Sequence, residues 1–189
     1  MSGHGFHVHG PHDHQVEHAA HGGDNFANKI AVTTAILATV GAVFGYQAGA
    51  TQNNAALFKN NAAIKKTEAS NQWNYYQAKS NKQNLAELAM SLPGVDTEKY
   101  KAEVERYKKE KGDIKTDAEK LEATSHHWDE QSDEQMHQHH RWAQAMTAEQ
   151  IAISLAAITL LTRKNWLEYS SYAVAGIGFA LGIMAWLHF

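Results

Sequence analysis

The segment IAVTTAILATVGAVFGYQAGA, residues 30–50, is an uninterrupted apolar run. A helix of about 20 apolar residues is long enough to cross the ~30 Å hydrocarbon core of a bilayer. Two later runs, residues 146–162 and 170–189, are similar, and none of the three contains Lys, Arg or Asp. The sequence therefore predicts an all-α protein with three transmembrane helices, at residues 29–50, 146–162 and 169–188.

The remaining composition is polar and excludes several function classes. Mean hydropathy is -0.50 over 189 residues, because about ninety polar residues separate the first and second runs. The net charge of -3 gives no support for nucleic-acid binding. The absence of cysteine excludes disulfides, thiolate metal sites and cysteine nucleophiles. No nucleophile motif, phosphate loop or dinucleotide fingerprint occurs, so the sequence does not predict an enzyme.

The polar insert, residues 51–145, is predicted to form a helical hairpin with its turn near residues 93–96. Nothing breaks the helix after residue 50 until Pro93-Gly94, a turn signal. Asp96 can then cap the next helix. We therefore expect the first span and first arm to form one helix, and the second arm and second span to form another.

The hairpin arms carry the spacing of an antiparallel coiled coil. Apolar residues of the second arm alternate at steps of four and three, the period of a coiled-coil seam. Lys111 and Ser125 interrupt this pattern. The predicted seam of the second arm is Tyr100, Val104, Tyr107, Ile114, Leu121 and Trp128. The first arm is less regular, with Phe58, Ala62, Ala69, Trp73 and Tyr76 on one stripe and Leu85, Leu88 and Leu92 on another.

Glycines at four-residue spacing occur in the first and third predicted spans. They are Gly41, Gly45, Gly49, Gly178 and Gly182. Small residues at this spacing allow membrane helices to approach closely. The partner helix is either in the same chain or in another copy, and we expect a homo-oligomer or a subunit of a larger membrane complex. Aromatic residues near the span ends are predicted to form an interfacial belt: Trp142, Trp166, Tyr169, Tyr172 and Trp186.

Two histidine-containing regions are candidate metal sites. The tail, residues 1–28, holds seven of the 13 histidines, and imidazole binds zinc, nickel and copper. The candidate ligands there are His7, His9, His12 and His14. His126, Glu130 and His137 share a face of the second arm and would bind metal if another helix supplied further ligands. The alternatives are a solubilising tail and a solvated helix face.

Glu149 is the one acidic residue within the predicted spans. A carboxylate inside lipid is a functional candidate. Its position near the start of the second run instead suggests the membrane interface, in the first turn of the buried helix, where the helix dipole favours a negative charge.

The segment NQWNYYQAKS, residues 71–80, together with the His-rich start and the small-residue first span, resembles a bacterial membrane family. That family is catalogued as a domain of unknown function, numbered 4337. The resemblance implies three spans with a coiled-coil insert between the first two, and it implies no activity. It also suggests a role for residues 73–79, for which packing of Trp73 and Tyr76 into the hairpin seam is the favoured account.

We therefore expect a scaffold or interaction protein of the bacterial inner membrane, either self-assembling or docked on a larger complex. The alternatives are binding or sensing of divalent transition metals through the tail, and a subunit of an oligomeric channel or transporter. Lys29 and the short loop at Arg163 and Lys164 lie on one predicted face of the membrane. The positive-inside rule then favours a cytoplasmic N-terminus.

Overall fold

The computed structural model describes residues 25–188, and all regular structure within them is helical. Helix α1 is Asn25–Met90, α2 is Thr97–Thr162 and α3 is Asn165–Trp186. Each predicted span in α1 and α2 is therefore continuous with a hairpin arm, as the sequence indicated. The third helix begins four residues earlier and ends two residues earlier than predicted. All three helices are long and apolar enough to cross a membrane.

The chain divides into two compact units. The hairpin unit is Asn53–Gln135, which is shorter at both ends than the predicted insert. The three-helix unit comprises the described residues through Gln52 and those from Met136 onward.

The turn of the hairpin is built as its residues predict. Gly94 has a φ of 82°, in the left-handed region that glycine adopts without a steric penalty. The carboxylate of Asp96 accepts a hydrogen bond from the backbone N–H of Lys99 at 3.2 Å, which caps the first turn of α2. Both signals read from the sequence are confirmed.

Small residues at seven-residue steps form the seam of the hairpin unit. Ala55, Ala62 and Ala69 are buried on α1. On α2 the Ser125 hydroxyl donates to the carbonyl of Ala62, and the Ser132 hydroxyl donates to the carbonyl of Ala55, each at 2.8 Å. A step of seven forward along α2 thus matches a step of seven backward along α1. The two arms therefore pack against each other as an antiparallel helical hairpin with contacts at seven-residue steps.

The predicted seam of the second arm is largely confirmed. Val104 and Ile114 are buried, and Ala118, the next position after Ile114 in the pattern, is fully buried. The aromatic and leucine members of this arm are half-buried: Tyr100, Tyr107, Leu121 and Trp128. Trp73 and Tyr76, predicted in the seam from the first arm, are half-buried as well. The two interruptions have structural roles, because Ser125 makes the hydrogen bond above and the Lys111 ammonium lies 5.2 Å from the ring centre of Tyr76.

The second stripe of the first arm lies outside the seam. Leu85, Leu88 and Leu92 are 65%, 62% and 56% exposed, and Ala86 is buried instead. The seven-residue steps of the alanine seam continue to Gln83. Leu85 is two residues further on and therefore about 200° around the helix. These leucines consequently point away from α2.

The three-helix unit has a small aromatic core surrounded by alanine. The rings of Phe44 and Trp142 lie 5.6 Å apart and pack with Ala48, Ala145 and Ala185. Trp142 is 8% exposed and therefore packs inside the unit, and its place in an interfacial belt stays a prediction. Trp166, Tyr169 and Trp186 are exposed as that assignment requires, while Tyr172 is half-buried.

Polar contacts also join the helices of this unit. The Ser171 hydroxyl of α3 donates to the carbonyl of Ala152 in α2 at 2.8 Å. The Lys29 ammonium of α1 pairs with the Glu168 carboxylate of α3 at 2.5 Å. A ring nitrogen of His139 lies 2.8 Å from the carbonyl of Ala48. Each of the three helices is thus linked to another by at least one polar contact.

Candidate functional site

Glu149 is the most unusual residue of the three-helix unit. Its side chain is 1% exposed, and its Oε2 has no hydrogen-bond partner within the described part of the chain. Gly41 of α1 and Gly178 of α3 lie against it. A Cβ atom at Gly41 would be 3.5 Å from the Glu149 Cβ, and one at Gly178 would be 2.9 Å from its Oε1. The carboxyl group therefore fills space that the two glycines leave open.

The sequence-based assignment of Glu149 to a first helical turn is wrong. Helix α2 begins at Thr97, so Glu149 lies deep inside a continuous helix. The partial positive charge of a helix N-terminus decays within the first turn and does not reach this carboxyl. The apolar run begins at residue 146, whereas the helix that contains it begins at Thr97 in the hairpin. The start of the apolar run was therefore mistaken for the start of the helix.

The predicted helix-packing glycines make their contacts within one chain. Besides Gly41 and Gly178, a Cβ at Gly45 would meet the Met146 sulfur at 3.0 Å, and one at Gly182 would overlap the ring of Phe44. Gly49 has no atom within 4 Å of the equivalent position. Four of the five glycines therefore pack α1, α2 and α3 against one another.

The predicted helical metal site is not assembled in a single copy. Within residues 25–188 no three His, Asp or Glu side chains are placed to hold a metal ion. His126 Nδ1 lies 3.2 Å from the Glu130 carboxylate, and both side chains are well exposed. His137 instead lines a shallow groove of about 290 Å³ in the three-helix unit with His140 and Arg141. Binding through ligands from another helix stays a prediction.

The tail histidines, His7, His9, His12 and His14, lie outside the described residues. Binding of zinc, nickel or copper by the tail therefore stays a prediction, as does the channel alternative. No contact within residues 25–188 supports or contradicts either of these two functions.

Residues 71–80 hold the two arms of the hairpin together. The Lys79 ammonium lies 2.6 Å from the Glu110 carboxylate and 5.1 Å and 5.6 Å from the ring centres of Tyr75 and Tyr107. The hydrogen bond from Lys79 lowers the pKa of Glu110, and the same bond raises the pKa of Lys79. The cluster cross-links α1 and α2, as expected from a packing role.

Trp73 adds a second cross-link in this segment. Its indole N–H donates to the Glu122 carboxylate at 2.9 Å, and its ring lies 5.7 Å from that of Tyr76 in an edge-to-face arrangement. The polar end of the indole thus reaches across the seam while its apolar body packs beside it.

Two structural features escaped the sequence reasoning. The alanine heptad was detectable, because alanine recurs at positions 48, 55, 62 and 69, but a search for large apolar residues overlooks it. The contact between Lys29 and Glu168 joins residues far apart in sequence, and no local pattern indicates it. Glu168 is buried there and also accepts a hydrogen bond from the Tyr172 hydroxyl at 3.0 Å.

Within the described residues, the helices and their packing define an all-helical protein with a helical hairpin and three candidate membrane spans. The chain belongs to the family described as Domain of unknown function (DUF4337), whose model matches residues 26–188. The resemblance drawn from the sequence is thereby confirmed. No curated protein and no solved structure matches the chain. The family carries no assigned activity, so function has to be argued from the geometry.

Proposed function

We propose that this protein is an integral membrane scaffold that self-associates through the outer face of its hairpin. The anchor is the three-helix unit, and the assembly element is the hairpin unit. No catalytic role is assigned to either unit.

The distribution of side-chain sizes in the three-helix unit supports membrane insertion. Its buried positions are mainly Ala, Gly, Ser and Thr, whereas most of its large aliphatic side chains point outward, with Ile30 and Leu167 as the buried exceptions. This arrangement is unfavourable in water but suits lipid, where close packing of small residues associates the helices. The exposed large residues include Val32, Ile36, Val43, Ile151, Ile158, Leu161, Ile177, Phe179 and Ile183.

The observation that carries the assembly proposal is a second heptad stripe on α1, on the side away from α2. It is formed by Leu57, Ile64, Asn71, Ala78 and Leu85 at seven-residue steps, all of them exposed, and the exposed Leu92 follows one further step along, in the turn after α1. We call this set, with Leu88, the outer stripe. A seven-residue apolar period is the pattern by which helices pair, and a solvated helix face has no need of it.

A second copy of the chain is the occupant that this stripe fits best. The period of the outer stripe equals that of the alanine seam, so a further helix of the same kind can pack along it with knobs-into-holes geometry. Asn71 in the middle of an otherwise apolar stripe can set the register of such a pair, at some cost in stability.

The test combines membrane extraction with measurement of mass. The full-length protein should stay in the membrane fraction after alkaline washing, and in mild detergent it should sediment as an oligomer. The double variant Leu85→Glu with Leu88→Glu should sediment as a smaller species, because buried like charges oppose pairing. Asn84→Glu is the matched control, since it adds a charge on the same turn beside the stripe.

Three results would contradict the proposal. Release of the protein by alkaline washing would contradict the proposed membrane anchor. The proposed self-association would be contradicted if the wild-type protein sediments as a monomer at all concentrations, with the same mass as the double variant. Recovery of a different membrane protein bound at the same stripe would replace the second copy with a heterologous partner.

A further inference from the structure

The Glu149 carboxyl has no counter-ion on any helix packed against it. In α1, residues 30–50 contain one titratable side chain, Tyr46, which is 75% exposed. In α3 the titratable groups after Glu168 are the exposed Tyr169, Tyr172, whose hydroxyl is bonded to Glu168, and His188 beyond the helix end.

The flanking charges of α2 are also distant from this carboxyl. The nearest are Arg141 and Arg163, which lie along the helix axis at about 12 Å and 21 Å from Glu149. No charged side chain is thus close enough on any of the three helices to stabilise a carboxylate.

The carboxyl also lies near the middle of the proposed spans. Lys29 and Glu168 pair at one end of the three-helix unit. At 1.5 Å per residue, Gly41 is about 18 Å from Lys29 along α1, and Gly178 is about 15 Å from Glu168 along α3. Half of a ~30 Å hydrocarbon core is about 15 Å. The glycines that enclose Glu149 are therefore at mid-membrane depth, so the inference below rests on the proposed membrane anchor.

Close contacts surround the carboxyl on the side of α3. At Gly178 an added Cβ would lie 2.9 Å from Glu149 Oε1, 3.1 Å from the Ala148 Cβ and 3.3 Å from the Ala145 carbonyl oxygen. An unpaired carboxylate in an apolar site is strongly disfavoured, and such a group takes up a proton instead.

From this geometry we infer that Glu149 is a proton-binding site at the centre of the three-helix unit, and that the close packing of Gly41 and Gly178 against it requires the bound proton. Loss of the proton leaves a buried charge with no partner. The three helices must then separate enough to admit water, so the carboxyl couples helix packing to proton activity.

Chemical labelling of the full-length protein in native membranes tests the protonated state. Dicyclohexylcarbodiimide partitions into lipid and adds to protonated carboxyl groups, whereas a water-soluble carbodiimide does not enter. Mass spectrometry at neutral pH should find the lipid-soluble adduct on Glu149. The adduct should be lost in Glu149→Gln and retained in Glu168→Gln, whose substituted carboxylate is paired with Lys29. No adduct at Glu149, or equal labelling by the water-soluble reagent, would overturn the inference.

The requirement for the proton in packing is tested by resistance to unfolding across pH. In wild-type protein, resistance of the three-helix unit to sodium dodecyl sulfate should fall as pH is raised. In Glu149→Gln the neutral amide replaces the protonated carboxyl, and that alkaline loss should disappear. Identical pH profiles for the two proteins would refute the coupling. Protein found outside the membrane fraction would instead refute the proposed anchor, so the two failures are distinguishable.

Discussion

Replacement of Gly182 by alanine tests the packing of α3 on α1 with a single added methyl group. The new Cβ would overlap the Phe44 ring, lying 2.7 Å and 3.0 Å from two of its ring carbons, with a third closer still. Forcing extra volume into a packed core costs about 1–3 kcal/mol. Alanine also stabilises a helix by about 1 kcal/mol relative to glycine. The expected net result is a loss of up to about 2 kcal/mol.

Gly176→Ala is the matched control in the same helix. No atom lies within 4 Å of the position its Cβ would take, so this variant has the helix-propensity gain without the overlap. The propensity contribution cancels between the two variants, and the difference between their unfolding free energies should be the overlap alone, about 1–3 kcal/mol.

Unfolding in mixed micelles by sodium dodecyl sulfate, followed by tryptophan fluorescence, measures this difference because Trp142 packs against Phe44. The difference should shrink in a Phe44→Leu background, where the ring is absent. Equal unfolding free energies for Gly182→Ala and Gly176→Ala in the Phe44 background would show that α3 does not pack on α1 at this ring.

Two further variants test the hairpin unit. Ser132→Ala should lower the stability of the hairpin unit by about 1 kcal/mol relative to the exposed control Ser70→Ala, because both variants have the same gain in helix propensity and Ser132→Ala also loses the net value of one hydrogen bond to the Ala55 carbonyl. Thermal unfolding of the two variants measures this difference. The pKa of Glu110 is lowered in the fold by the hydrogen bond from Lys79, so this stabilisation is present above the unfolded pKa of glutamate and is lost as pH falls through the folded value. Acidification should therefore weaken wild-type protein more than Glu110→Gln, and an identical acid profile for both would contradict the assignment.

The sequence predicted the helices better than it predicted which of their faces are buried. Helix bounds follow from local signals, such as the absence of breakers before Pro93 and the cap at Asp96, and these signals were sufficient. The sequence placed Leu85 on a second stripe without showing whether that stripe is buried, and in the structure Leu85 is exposed while Ala86 is buried. Where small residues repeat at seven-residue steps, close approach of the backbones decides the seam, and large side chains are displaced to the outside.

The burial of the candidate site could not be predicted from any one segment of the sequence. Glu149 can be found in the sequence as the one acidic residue of an apolar run, but its burial depends on Gly41 and Gly178, which come from two other helices. The spacing of glycines within each span indicates that a close contact exists without identifying its partner. The partner helix follows from the tertiary contacts, and with it the conclusion that the carboxyl is enclosed within a single chain.

The alanine seam has a consequence for the stability of the hairpin unit. Burial of an apolar side chain stabilises by about 0.8 kcal/mol per methylene-sized group, so each buried alanine contributes little, whereas a fully buried leucine contributes about 1.5–3 kcal/mol. Four leucines of this unit, Leu57, Leu85, Leu88 and Leu92, are exposed in a single copy, whereas Leu121 is half-buried in the seam. The hydroxyls of Ser125 and Ser132 therefore fix the register of the two arms, while much of the leucine surface is left uncovered. In the assembly proposed above a further helix covers this surface, so association would add to the stability of the hairpin.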